Sequence, residues 1–211
     1  MTDLYLVRHG ETDWNAARRV QGSTDIPLND TGRAQAARTG RLLARRSWHA
    51  VVASPLSRAW ETATIIAEAA GAPSPERLDA IVERAYGEAE GLDYLTLDER
   101  FPAGVTVPGR ESREQVVARA LPALTALAAG RPRQRIIVVT HGGVIRALVN
   151  TVEPDVRELR GIPITNGSVH SFRFDGGGVR LLEFDDPLEL ESIDPGAEDF
   201  VEQNPVAARD A

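Results

Sequence analysis

The feature that most constrains the fold is a pair of apolar runs, each leading into a histidine that is followed by glycine. Leu4–Val7 precedes Arg8 and His9, and the β-branched run Ile136–Val139 precedes His141. Continuous apolar runs of this kind are typical of strands buried in a parallel sheet. Ligands of open α/β sheets bind just beyond the carboxyl ends of the strands. The two histidines are therefore expected to converge at one edge of the sheet.

The residues near these histidines indicate phosphoryl chemistry. An imidazole nitrogen can attack phosphorus while the forked donors of an arginine hold the phosphoryl oxygens. Arg8 precedes the first histidine, and Arg58 falls in the first turn of a predicted helix, after Ser54-Pro55. A cation is unfavourable at a helix N-terminus unless an anion binds there. Two alternatives stay open: a strand-end histidine that only caps a loop, and a pair of metal ligands.

Composition excludes several other classes. The 211 residues contain no cysteine and suffice for one well-buried domain or at most two small ones. No apolar run approaches the ~20 residues of a membrane span, and the start of the chain lacks the pattern of a leader peptide. A cytoplasmic location without membrane contact is therefore expected.

The net charge of −7 is unevenly distributed. Residues 185–211 carry nine acids and one arginine, so this acidic tail holds −8 and leaves +1 for residues 1–184. A clustered basic face, which nucleic-acid binding requires, is missing from the sequence. The expected organisation is one domain over residues 1–184 and a tail that is either disordered or laid over that domain.

The order of the predicted elements favours a single three-layer α/β/α domain with a mostly parallel central sheet. Two alternating runs around Asp175-Gly176-Gly177-Gly178 predict a terminal hairpin, in which His170 is structural. Pro122 is expected to kink or split the helix that contains it. The other predicted strands cover residues 4–7, 50–53 and 135–140, and residues 78–82 are predicted as a strand or an extended edge. The predicted helices cover residues 31–46, about 55–70, 92–101, 113–129 and 144–151.

Four motifs in order resemble the histidine phosphatase superfamily (phosphoglycerate mutase-like, branch 1) over about residues 3–184. They are Arg-His-Gly-Glu-Thr-Asp-Trp-Asn from Arg8, Ser-Pro-Leu-x-Arg-Ala from Ser54, Glu83 after an apolar run, and His141-Gly142. The resemblance implies a phosphoglycerate mutase-like fold. In many relatives tryptophan stands where this chain has Ala89, and glycine where it has Arg110. Arg110 is expected either to reach a substrate anion or to face solvent.

The resemblance also assigns roles to residues. It implies that His9 is the nucleophile, that Glu83 is the general acid and then base, and that Arg8, Arg58 and His141 bind the phosphoryl oxygens. Further substrate or phosphate contacts are implied for Asn15, Gln21, Gly22, Arg84, Tyr86 and Gly142. Arginine and imidazolium are expected to supply the positive charge, so neither metal nor cofactor is implied.

The predicted function is that of a metal-independent phosphomonoesterase that forms a phosphohistidine on a small phosphorylated metabolite. The alternatives are a cofactor-dependent phosphoglycerate mutase, a phosphate-ester-binding module without turnover, and an interaction protein that acts through its acidic tail. A homodimer stays open. The motif Glu83-Arg84-x-Tyr86-Gly87 resembles the mutase branch of the family. The segment from Gln21-Gly22 to Leu28 resembles the phosphatase branch. Only 58 positions separate Glu83 from His141. That interval is too short for the long insert of the family's mutases, which favours the phosphatase.

Overall fold

The computed structural model describes residues 1–154 and 162–185. A six-stranded sheet, in the order β3-β2-β4-β1-β5-β6, lies at the centre of the part described. Its strands are Thr2–Arg8 (β1), Ala50–Ala53 (β2), Glu76–Arg77 (β3), Arg135–Thr140 (β4), Val169–Asp175 (β5) and Gly178–Glu183 (β6). The helices are Asp13–Ala16 (α1), Asp30–Leu43 (α2), Ser57–Ala70 (α3), Tyr94–Arg100 (α4), Arg113–Ala129 (α5) and Gly142–Val152 (α6).

Four neighbouring strands of this sheet are parallel. β4 pairs in parallel with both β1 and β2, and β2 pairs in parallel with β3. The predicted hairpin is formed by β5 and β6, which are antiparallel, and β5 joins it to β1. The prediction of a mostly parallel sheet with a terminal hairpin is therefore confirmed.

Alternate residues of the central strands face two separate layers of helices. Leu4 and Leu6 of β1 belong to an apolar cluster with Val116 and Leu124 of α5. Tyr5 and Val7 point to the opposite side, where the second cluster includes Leu43 of α2 and Ile66 of α3. This alternation follows from the two-residue period of a strand, because both faces must be covered by apolar side chains. The result is the predicted three-layer α/β/α domain.

The helix ends are determined by local sequence. The Asn29 side chain caps α2 by accepting from Gly32 N. Ser112 and Gln115 form a reciprocal capping box at the start of α5, as their spacing predicts. Pro122 does not split α5, which runs unbroken to Ala129. Its missing N–H leaves one helical hydrogen bond unmade, and the buried apolar face of α5 holds the helix together across it.

Some predicted boundaries were wrong. Residues 78–82 form neither a strand nor an extended edge: Asp79–Ile81 is a 3-10 turn, and β3 lies earlier, at Glu76–Arg77. A short apolar run does not by itself distinguish a strand from a turn, and here the turn buries Ile81 completely. α6 begins at Gly142, two residues before the predicted start. Of the predicted acidic tail, only Asp185 is among the described residues.

Candidate active site

The strand register brings the two histidines together. β1 and β4 are paired so that Arg8 lies opposite Thr140. The next residue on each strand is therefore a histidine at the same edge of the sheet. The rings of His9 and His141 lie edge to face with their centroids 5.1 Å apart, and both residues are buried. The predicted convergence of the two histidines is confirmed.

Hydrogen bonds determine which nitrogen of His9 can react. Nδ1 lies 2.7 Å from the carbonyl oxygen of Gly10. A carbonyl only accepts, so Nδ1 carries the proton and Nε2 keeps its lone pair. Burial, followed by the nearby charges of Arg58 and Arg8, holds the pKa of His9 well below 6.5. His9 is therefore neutral at pH 7, with Nε2 available as a nucleophile.

Backbone contacts fix the position of His9 further. The side chain of Asn166 donates to the carbonyl oxygen of His9 at 2.9 Å. The N–H of Gly10 donates to the hydroxyl of Thr62 at 3.0 Å. A Cβ on Gly10 would lie 2.3 Å from the carbonyl oxygen of Gly32. Only glycine therefore fits after His9 without displacing the backbone at the start of α2.

His141 is also held by a neighbour. Its Nε2 lies 2.8 Å from the hydroxyl of Ser54, while its buried Nδ1 makes no hydrogen bond within the part of the chain that is described. Burial, and then the charges of Arg58 and His9, hold the pKa of His141 well below 6.5. The imidazole of His141 is therefore neutral at pH 7 in this structure, and its expected contribution of positive charge to phosphoryl binding stays a prediction.

Arg58 is the buried cation at the centre of the site, in the first turn of α3. Its Nε donates to Nε2 of His9 at 3.2 Å. Its other nitrogens donate to the carbonyl oxygens of Gly22 at 2.7 Å and Thr24 at 2.8 Å. Burial lowers the pKa of Arg58 to about 10, against the opposing effect of Glu83. Arg58 is therefore still charged at pH 7.

The other predicted cationic and amide residues surround a cavity that is also lined by His9 and Arg58. Arg8 is held by the carbonyl oxygen of Ile164 at 2.5 Å. Asn15 forms a capping box with Thr12, which fixes its side chain in the single turn of α1. Gln21 follows α1 in a loop and lies at the same wall. Arg8, His9, Asn15, Gln21, Gly22, Arg58, Glu83 and Tyr86, all of them predicted site residues, line this cavity.

Glu83 lines the same cavity as His9. Its carboxylate accepts from the N–H of Arg84 at 2.7 Å and from the N–H of Gly143 at 3.1 Å. Gly143 lies in the first turn of α6, where free N–H groups favour an anionic partner. A Cβ on Gly143 would lie 2.4 Å from the carboxylate of Glu83. The start of α6 therefore determines the orientation of this carboxyl group.

Three predicted site residues are not part of the cavity wall: His141, Arg84 and Gly142. Arg84 is buried but is not part of the cavity wall. Its Nε donates to the carbonyl oxygen of Glu111 at 2.6 Å, and its guanidinium lies 5.4 Å from the ring of Tyr86. It packs against Tyr86, which lines the cavity, and its contact with substrate stays a prediction. Gly142, the first residue of α6, is also outside the cavity wall.

Burial is the largest influence on Tyr86 and raises its pKa to about 12.

The outer part of the cavity was not predicted from the sequence. Its wall is largely apolar and is completed by two arginines: Arg19, Val20, Ala89, Tyr94, Leu97, Val107 and Arg110. Arg110 lies 5.7 Å from the ring of Tyr86, so of the two positions expected for it, the one beside the substrate cavity is observed. Ala89, which replaces a tryptophan common in relatives, was the one sequence signal that the cavity would be wide here.

Within residues 1–154 and 162–185, no three His, Cys, Asp or Glu side chains group together in a way that could hold a metal ion. The helices in those same ranges are too short or too polar to span a bilayer.

A three-layer α/β domain with two histidines and two arginines at the carboxyl edge of its sheet defines a phosphoryl-binding class of proteins. The chain belongs to the histidine phosphatase superfamily (branch 1), whose family model matches residues 4–187.

Several known proteins and solved structures resemble the chain over most of its length. It is 38% identical over 184 residues to the uncharacterized phosphatase PhoE of Bacillus subtilis, covering 87% of this chain and 94% of that protein. It is 38% identical over 202 residues to phosphoglycerate mutase-like protein 4 of Arabidopsis thaliana, covering 90% and 87%. A mycobacterial glucosyl-3-phosphoglycerate phosphatase, solved with VO3, aligns with a TM-score of 0.73 at 28% identity, covering 86% of this chain and 98% of that one.

Proposed function

We propose that this chain is a phosphomonoesterase that acts on a small phosphorylated metabolite through a phosphohistidine at His9. One observation supports the proposal above all others: the unprotonated Nε2 of His9 is in contact with a buried arginine in a cavity also lined by Glu83. A neutral imidazole is nucleophilic, and a buried guanidinium attracts the phosphoryl oxygens into line with it. The known phosphatases among the relatives support the same reaction.

The first half of the reaction transfers the phosphoryl group to the enzyme. Nε2 of His9 forms the P–N bond as the ester P–O bond breaks. Arg8 and Arg58 stabilise the charge on the phosphoryl oxygens in the transition state. Glu83 gives its proton to the departing oxygen. The negative charge of the phosphoryl dianion opposes the effect of the two arginines on the imidazole of His141. His141 is then better able to donate a hydrogen bond to a phosphoryl oxygen.

The second half releases phosphate. A water molecule attacks the phosphorus atom, Glu83 takes its proton, and the P–N bond breaks with the electron pair returning to Nε2 of His9. The products are the free hydroxyl compound and inorganic phosphate. The cationic side chains already oppose the phosphoryl charge, so no step requires a metal ion. Turnover is expected to survive exhaustive treatment with a chelator.

The lining of the cavity agrees with a small substrate. Three charged side chains, Arg8, Arg58 and Glu83, converge on a cavity whose wall is otherwise partly apolar, as is usual for sites that bind small molecules. We propose that residues 1–184 contain all the machinery for turnover in the cytoplasm and that the acidic tail takes no part in it. Deletion of residues 186–211 should then leave turnover intact. Loss of turnover on deletion would favour a role for the tail.

Phosphoglycerate mutase activity is the second candidate, because mutase-like proteins are among the relatives. A mutase must keep water away from the phosphohistidine while its bisphosphate reorients. Between Glu83 and His141, the chain forms one 3-10 turn and then α4, α5 and β4. Only residues 101–112 connect α4 to α5. That connection is too short for a large lid. Hydrolysis should therefore dominate over transfer.

The decisive experiment combines a phosphomonoester panel with a mutase assay. Free phosphate is expected from at least one small phosphomonoester, and none from the His9→Ala variant. With 3-phosphoglycerate and catalytic 2,3-bisphosphoglycerate, phosphate release should exceed formation of 2-phosphoglycerate. Rapid 2-phosphoglycerate formation with little phosphate would instead identify a mutase. Binding of phosphate esters without any turnover would identify a regulatory module.

A further inference from the structure

Glu90 lies beside the cavity but is not part of its wall, and it binds the loop that follows α1. One carboxylate oxygen accepts from the N–H and hydroxyl of Ser23, each at 3.0 Å, and from the N–H of Tyr86 at 2.9 Å. The other accepts from the N–H of Thr24 at 3.0 Å and from its hydroxyl at 2.5 Å. This carboxylate is thus bound by donors from two separate parts of the chain.

The same loop holds Arg58 from its other side. The N–H groups of Ser23 and Thr24 point to Glu90, while the carbonyl oxygens of Gly22 and Thr24 accept from the guanidinium of Arg58. Gly22 has a φ of +58°, and a Cβ there would lie 2.1 Å from the carboxylate of Glu90. Glycine is therefore required for the loop to approach Glu90 this closely.

The chain of contacts ends at the nucleophile. With two of its nitrogens held by the carbonyl oxygens of Gly22 and Thr24, Arg58 directs its remaining donor, Nε, to Nε2 of His9 at 3.2 Å. A guanidinium is planar, so fixing two of its nitrogens fixes the third. The position of the loop therefore determines where the charge of Arg58 lies relative to His9.

We propose that Glu90 is a positioning residue, which holds the Gly22–Thr24 loop so that its carbonyl oxygens aim Arg58 at His9 and at the phosphoryl group. The proposal rests on the proposed function in one respect, namely that Arg58 binds a phosphoryl group. Glu90 itself touches neither His9 nor the cavity. Its effect on the reaction passes entirely through Arg58.

The contacts require a carboxylate at this position. Each oxygen of Glu90 accepts from at least one backbone N–H, from Ser23 and Tyr86 on one side and from Thr24 on the other. Glutamine has the same shape, but in either orientation its NH₂ group would face a backbone N–H, and two donors cannot bond each other. The Glu90→Gln variant should therefore release one side of the loop.

A double-mutant cycle tests this path. Glu90→Gln alone should lower kcat/KM for p-nitrophenyl phosphate by about tenfold to a hundredfold, the usual effect of a small displacement in an active site. In the Arg58→Ala background it should have little further effect, because the residue it positions is gone. The same cycle is measured on the Kd of inorganic phosphate by calorimetry, which requires no turnover.

Two further variants keep the result interpretable. Glu88→Gln is the matched control, since Glu88 lies two residues away and makes an exposed ion pair with Arg100 at 2.6 Å. It should leave kcat/KM and phosphate affinity unchanged. Thr24→Val removes one hydroxyl donor to Glu90 while keeping the carbonyl oxygen that binds Arg58, so a smaller loss in the same direction is expected. This variant serves if Glu90→Gln does not fold.

The outcomes separate the two proposals. Losses from Glu90→Gln and Arg58→Ala that add fully, in both kcat/KM and phosphate Kd, would overturn the positioning role. So would a folded Glu90→Gln protein with wild-type values. A wild-type protein that neither hydrolyses phosphomonoesters nor binds inorganic phosphate would instead count against the proposed function.

Discussion

Nε of Arg58 and Nε2 of His9 lie 3.2 Å apart, with the guanidinium donating to the unprotonated imidazole nitrogen. The contact joins the proposed nucleophile to the cation that is expected to hold the phosphoryl group. On that proposal, the lone pair of Nε2 is occupied by a hydrogen bond until a phosphoryl group arrives. Arg58 must then transfer this donor from His9 to a phosphoryl oxygen.

The first prediction concerns the covalent intermediate. Rapid quenching of the enzyme with a good substrate should trap phosphate on Nε2 of His9, because Nδ1 is already committed to the carbonyl of Gly10. A phosphoramidate is labile in acid and persists in base, unlike an acyl phosphate or phosphoserine. Phosphopeptide mapping after a basic quench provides the measurement. An acid-stable adduct, or full activity in His9→Ala, would rule the intermediate out.

The second prediction concerns the general acid. Glu83→Gln should slow hydrolysis of alkyl phosphates by about a hundredfold or more, the usual contribution of general acid–base catalysis. p-Nitrophenyl phosphate should suffer much less in the first step, since its leaving group needs little protonation. The ratio of kcat/KM for the two substrates is the measurement. An equal loss on both substrates would show that Glu83 is not the general acid.

The third prediction uses the close approach of α6 to Glu83. In Gly143→Ala the new methyl group would lie 2.4 Å from the carboxylate, which is the mobile end of a side chain and can move away. The fold should therefore persist while hydrolysis of alkyl phosphates falls by about tenfold, because the acid is displaced.

Gly176→Ala provides the control for that substitution. Gly176 lies in the turn between β5 and β6, where a Cβ would meet no atom within 4 Å. Its activity and melting temperature should match those of the wild type. Unchanged leaving-group dependence in a folded Gly143→Ala protein would show that α6 does not orient Glu83.

The fourth prediction is a loss of stability in mild acid. Burial lowers the pKa of His9, His141 and His170, and that of His170 falls to about 3. Below about pH 6.5 the unfolded chain takes up protons that the folded chain does not, so the free energy of unfolding decreases as pH falls. Each buried histidine contributes a slope of up to about 1.4 kcal/mol per pH unit.

Urea denaturation between pH 6.5 and 5.5 measures that slope. The His170→Asn variant lacks one of the three buried imidazoles, so its slope should be about one third smaller than that of the wild type. His170 lies in β5, where its Nε2 is 2.9 Å from the hydroxyl of Ser168, and it takes no part in the active site. An identical slope in wild type and variant would contradict the prediction.

The sequence predicted the parts of the fold that depend on local pattern. The strands at Leu4–Val7 and Ile136–Val139 are long apolar runs that end in glycine-rich turns, and the pairing of β1 with β4 then brings His9 and His141 together. The hairpin followed from its glycine turn. The prediction of a strand or extended edge at residues 78–82 was wrong, because a fully buried isoleucine is as compatible with a 3-10 turn as with a strand.

The parts of the site that were not predicted from the sequence depend on contacts between residues distant along the chain. Glu90 meets Thr24 across 66 positions of the chain, and no local pattern distinguishes it from its exposed neighbour Glu88. Arg84 and Arg110 lie on either side of the Tyr86 ring, yet only Arg110 reaches the cavity. Long flexible arginines have no periodicity that indicates their direction. Their positions depend on the tertiary arrangement of the loops.

The partners of Arg58 have a consequence for the protein in use. Within the described ranges, its hydrogen bonds go only to carbonyl oxygens and to His9, so its charge is neutralised by no hydrogen-bonded carboxylate. A small oxyanion that enters supplies that charge and binds only the folded chain, which stabilises it by mass action. The phosphate released in the reaction is such an anion. A high phosphate concentration should therefore raise the folded fraction of the protein and lower its activity. The product then stabilises the enzyme that it inhibits.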